Sequence, residues 1–255
     1  MPGKDAAEDR SRMPPTGTTV AVVDLFSRTW AALRTAVAGL RAEDFERPSG
    51  CAGWLVRDLV CHLVIDAQDV LITLATPAEG EPTRDALTYW TVSGTPPTGD
   101  DPLDALTVRL AAAYGDPALL MFHLDDVGSA AGRAARLADP GLRVSTRGEV
   151  LTVGDYLAAY VLEWTLHHLD LTAHLPGVAG PPPEGLARSR EMVERIAGAA
   201  LPGGFSDAEA ASPVVFPAAF SDEDVLLVGT GRRDPTEAET RALGELAPAL
   251  PFHLG

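Results

Sequence analysis

The sequence predicts an all-α protein, a four-helix bundle followed by a short, irregular C-terminal appendage. Three observations carry this. Apolar residues recur at helical spacing over long stretches, proline and glycine clusters separate those stretches, and only one segment before residue 177 has an extended pattern. The predicted parts are a disordered leader over 1–17, a helical bundle over 18–177 and an appendage over 178–255.

The leader, MPGKDAAEDRSRMPPTG, is polar and has no apolar core of the kind a signal peptide needs. Val23, Phe26, Trp30, Leu33, Val37 and Leu40 then form one apolar stripe, so a first helix runs from Thr18 to Gly39. Pro48, Gly50 and Gly53 mark a loop, and a second helix spans Trp54 to Leu74, stopped by Pro77 and Gly80. A polar connection leads to Asp101-Pro102, a cap followed by proline at the first helical position. The third helical pattern continues to Leu137, and Gly115-Asp116-Pro117 predicts a kink or break within it. Residues 141–151 read as an extended arm with a turn at Gly148. The fourth helix starts at Thr152, with Asp155 placed to complete a capping box, and ends at Pro176-Gly177. A further helix is expected from Glu184 to Leu201. The tail beyond it, with the apolar run DVLLVGTG, is too poor in strands for a full second domain.

Charge excludes some partners. The chain has 36 acidic and 20 basic residues and a formal charge of −16, which repels nucleic-acid phosphates and anionic lipid. No stretch approaches eighteen uninterrupted apolar residues, so no membrane span is expected. Two cysteines supply no disulfide framework, and a cytosolic location is expected.

Glu163 and His167 are four apart and project from one helix face, while His62 lies on a separate helix. Two ligands from one helix and one from another make a three-ligand metal site with an exchangeable fourth position. Asp58 and Asp66 flank His62 at four residues on either side, and Asp170 follows His167 by three. Each is a candidate to orient a ligating histidine through its free nitrogen. A competing arrangement makes one of the helix-two aspartates a direct ligand and the site octahedral or dinuclear. It ranks lower, because the first and third helices offer no further inward histidine or glutamate. His168, His174, His123 and His253 read as surface residues and Cys61 as core filler. Cys51, just before a helix N-terminus, is placed where its thiolate would be favoured.

The segments GCAGWLVRDLVCHL, STRGEVLTVGDYLAAYVLEWTLHHLDLTAHL and GTGRRDP resemble the mycothiol-dependent maleylpyruvate isomerase family, within the DinB/YfiT-like superfamily of four-helix metalloproteins. The resemblance covers most of 18–175. It implies a DinB-like bundle, a divalent metal on His62, Glu163 and His167, and mycothiol or a similar low-molecular-weight thiol as co-substrate. Zinc is the first expectation for the metal, and a His2Glu set also accepts nickel or iron. The implied activity is a thiol S-transferase or isomerase acting on a small electrophile, with Arg232 and Arg233 in the place of the family's substrate-binding arginine. The alternative is a metal-binding bundle with a binding or stress-related role and no turnover.

Overall fold

The computed structural model describes residues 17–99, 101–200 and 214–254, with side chains from residue 22 onward. The expected leader therefore lies outside the described residues, apart from Gly17.

Four helices form the bundle: α1 (Gly17–Ala38), α2 (Val56–Leu74), α4 (Pro117–Leu137) and α5 (Val153–Thr172), with α3 (Pro102–Tyr114) packed beside α2. The third helical pattern is thus two helices. Gly115 takes φ +66°, and Asp116 caps α4 by accepting the Ala118 amide with Pro117 at the first position. No continuous helix survives that combination. The stripe on α1 supplies buried Phe26, Trp30, Leu33 and Val37. Trp30 stacks on Trp164 of α5 with ring centroids 4.0 Å apart, and its indole N–H donates to the Gly128 carbonyl of α4 at 2.8 Å. One side chain so ties three helices together, and it does so over Gly128, where a Cβ would stand 2.7 Å from Trp30 Cζ2.

The extended arm is a hairpin of β2 (Arg143–Thr146) and β3 (Glu149–Thr152), paired antiparallel. Its two-residue turn places Arg147 at φ 50° and Gly148 at φ 84°, the double positive φ of a type I′ turn. Thr152 then caps α5, its hydroxyl accepting the Asp155 amide at 3.0 Å. Almost every face of α5 is buried, because α1, α2 and α6 (Pro183–Ala200) surround it. The helix stops at Thr172, short of the expected Pro176-Gly177.

Beyond α6 the apolar run DVLLVGTG forms most of α7 (Asp222–Gly229), followed by α8 (Glu237–Leu243). Phe216, Phe220, Val225, Val228 and Leu243 make a small core of their own, while Leu226 joins the cluster between α5 and α6. The chain then returns to the bundle. A strand at its end, β4 (His253–Leu254), pairs antiparallel with β1 (Val92–Ser93), in the loop after α2. Among the described residues no helix is long and apolar enough to cross a membrane.

Candidate metal centre

Each of two helices contributes a histidine and a carboxylate. On α2, His62 and Asp66 are one turn apart, and on α5 Glu163 and His167 are one turn apart, in the opposite order. One ligand atom from each of these four residues lies within 4.8 Å of the others. His167 Nε2 is 3.0 Å from Glu163 Oε1, and His62 Nε2 is 3.8 Å from the same oxygen. The two imidazoles meet edge to face with centroids 4.8 Å apart, and Trp54 packs against the His62 ring at 5.2 Å. The cluster forms one wall of a cavity of about 490 Å3.

The second ring nitrogen of His167 faces a different carboxylate. Nδ1 stands 3.2 Å from Asp170 Oδ2, and Asp170 is gripped in turn by Arg232, whose Nε and terminal nitrogen donate to its two oxygens at 2.8 and 2.9 Å. Arg232 lies just past α7, so the C-terminal segment supplies the far end of a chain running Glu163–His167–Asp170–Arg232. The loop before α2 closes on it tightly. The Gly50 amide donates to the Asp170 carbonyl at 2.8 Å, and a Cβ at Gly50 would meet Asp170 Cα at 2.8 Å.

Burial penalises charge throughout this cluster, so specific partners decide the protonation states. For Glu163, burial is outweighed by His167 and His62, which hold its carboxyl well below the usual range. For Asp170, burial is likewise outweighed by Arg232 and His167. His167, with Glu163 and Asp170 overcoming burial, is held well above the ordinary imidazole value. Asp66 is the exception: burial pushes its carboxyl up to about 6, with His62 only partly opposing. Its Oδ2 is 3.2 Å from His62 Nε2 but lacks the alignment of a hydrogen bond, and among the described residues it has no hydrogen-bond partner. A buried carboxylate oxygen without a donor, beside two imidazole nitrogens and a second carboxylate, fits a cation.

The structure separates the other expected site residues. Asp58 is not in the cluster. It is the third residue of α2, and its carboxylate turns back to accept the Leu55 amide at 2.9 Å, capping the helix. Arg233 points away from the cavity into ion pairs with Asp224 at 2.9 Å and Glu239 at 2.8 Å. His168, expected on the surface, is buried and hydrogen-bonded through Nε2 to the Ala179 carbonyl at 2.9 Å, because the chain leading into α6 covers it. His253 lines the cavity rather than open surface, whereas His174 is exposed. Cys51 lies 4.0 Å from His167 Nδ1, but burial raises its thiol pKa, opposite to the helix-terminus expectation. Other cavity residues had no sequence signal, among them Tyr89, Tyr160 and Arg147 at the hairpin tip.

A sequence model described as the mycothiol maleylpyruvate isomerase N-terminal domain matches residues 26–172, more than half of the chain. The chain belongs to this family. The match runs from within α1 to the end of α5, and so includes all four residues of the cluster. The family's name carries mycothiol and an isomerisation, and the helical fold agrees with its expected all-α bundle. No curated protein and no solved structure matches the chain.

Proposed function

We propose that the protein is a metal-dependent enzyme in which a low-molecular-weight thiol of the mycothiol type reacts with a small electrophile, as an S-transferase or an isomerase. The observation that carries this reading is the convergence of His62, Glu163 and His167 on the wall of a cavity, within a family named for a thiol. A divalent cation held by these three side chains supplies Lewis acidity that favours a bound thiol in its thiolate form.

The remaining residues prepare that position. Asp170 accepts from His167 Nδ1 and so keeps Nε2 aimed at the centre, and Arg232 fixes Asp170 in turn. Trp54 braces the His62 ring. Tyr89, Trp90 and Tyr160 give the cavity an aromatic side, and its volume suits one small molecule. Arg232 faces the cavity but spends its fork on Asp170, so its part in substrate binding is to hold the site together. Arg233, engaged elsewhere, has no part in it.

The nucleophile comes from outside the chain. Burial raises the thiols of both Cys51 and Cys61, the latter to about 11, and neither is primed for attack near neutrality. The test is a conjugation assay with mycothiol and a panel of small electrophiles, including maleylpyruvate, on metal-loaded protein. Thiol-dependent turnover supports the reading. Metal uptake without turnover on any electrophile favours the alternative of a binding role.

A further inference from the structure

We propose that Asp66 is a fourth protein ligand, so that the centre is a two-histidine, two-carboxylate site rather than a three-ligand one. This rests on the metal reading above and goes beyond it in the donor set.

The two buried aspartates beside the histidines occupy different sides of their rings. Asp170 faces Nδ1 of His167, while Nε2 of the same ring faces Glu163 Oε1. That is the placement of an orienting carboxylate, on the nitrogen that does not bind the ion. Asp66 instead faces Nε2 of His62, at 3.2 Å, and this is also the nitrogen directed at Glu163 Oε1. An orienting partner belongs on the opposite nitrogen. Asp66 is therefore on the ligating side of its histidine.

Separations agree. Bonds of about 2.0–2.2 Å put ligand atoms about 3.4 Å apart in a tetrahedron and at most about 4.4 Å apart across an octahedron. Adjacent octahedral positions stand about 3.0 Å apart, so the separations of 3.0, 3.2 and 3.8 Å fit, and the 4.8 Å within which all four donors lie exceeds the octahedral limit by a few tenths of an ångström. The Asp66 side chain is only 5% exposed, and its Oδ2 has no hydrogen-bond partner among the described residues. A cation would satisfy that oxygen, which His62 Nε2, though 3.2 Å away, is not aligned to do. The spacing repeats the pattern of the facing helix: His62 and Asp66 on α2 answer Glu163 and His167 on α5, each pair one turn apart. The extra oxygen donor makes the site hospitable to iron, nickel or manganese as well as zinc.

The experiment uses the full chain stripped with chelator and reloaded with Co2+ as the probe, comparing wild type with Asp66→Leu, Asp66→Ala and His167→Ala. Visible absorption reads coordination number, and competition with a chelating dye reads affinity. Wild type is expected to give the weak bands of a five-coordinate or six-coordinate ion. Both Asp66 variants should give stronger, shifted bands of lower coordination, with affinity reduced by about 10–100-fold. Asp66→Leu, of similar size and with no donor atom, keeps the test valid if the alanine variant misfolds. Unchanged band positions and intensities in Asp66→Leu, whatever its affinity, would overturn the proposal. Wild type that takes up no more cobalt than His167→Ala would instead sink the metal reading itself, and this proposal with it.

Discussion

Replacing Arg232 by Met tests whether the C-terminal segment holds the site together. In the native protein Asp170 is buried and its carboxylate is met by two Arg232 donors at 2.8 and 2.9 Å, with His167 Nδ1 at 3.2 Å. Removing one partner of a buried ion pair costs about 3–5 kcal/mol, because the remaining charge is left uncompensated. His167 still faces Asp170, so the expected loss is about 2–4 kcal/mol. With a urea slope of about 3 kcal/mol/M for a chain of this size, the midpoint should fall by about 1 M. Tryptophan fluorescence in urea is the assay, with chelator present so that metal binding does not contribute. The sign of the pH dependence is fixed. Asp170 is held well below its unfolded value of about 3.9, so the stabilisation is fully present above that pH and is lost as pH falls through the folded value. The gap between wild type and variant should therefore close in acid. The double variant Asp170→Asn, Arg232→Met, which removes both charges, should recover much of the loss. A single variant as stable as wild type at pH 7, or a double variant no better than the single, would refute the reasoning.

Three further outcomes follow from the same structure. Gly128→Ala should cost about 1–3 kcal/mol in thermal unfolding, since its Cβ would stand 2.7 Å from Trp30 Cζ2 and 3.0 Å from Arg34 Cδ. Cys61, with a thiol pKa of about 11, should resist alkylation at pH 8, where about one molecule in a thousand is thiolate, and react readily only once urea unfolds the chain. Cys51→Ser should leave thiol-dependent turnover within a small factor; a variant with full metal content and no turnover would move the nucleophile onto the chain.

The pairing of Glu163 with His167 was legible because helix periodicity alone puts residues four apart on one face, and the stripe on α1 was legible for the same reason. The break at Gly115-Asp116-Pro117 and the turn at Gly148 were legible from backbone chemistry. Periodicity could not choose between Asp58 and Asp66, which are equally spaced from His62. The choice depends on where α2 begins. A start at Trp54 leaves Asp58 inside the helix, whereas the observed start at Val56 makes it the capping third residue and leaves Asp66 for the cluster. Burial of His168 depends on the chain crossing at Ala179, and the approach of Cys51 to His167 joins residues 116 positions apart. The pairing of β1 with β4 spans most of the chain. Such long-range contacts leave no local pattern.

The central claim is a metal held by His62, Glu163 and His167, and elemental analysis of purified protein tests it most directly. Wild type is predicted to carry one divalent cation per chain. His167→Ala should lose most of it while its circular dichroism stays helical, because the bundle is held by apolar residues such as Phe26, Trp30 and Leu33 rather than by the cluster. Equal metal content in the two proteins, or none in either after supply of zinc, nickel and iron, would contradict the account.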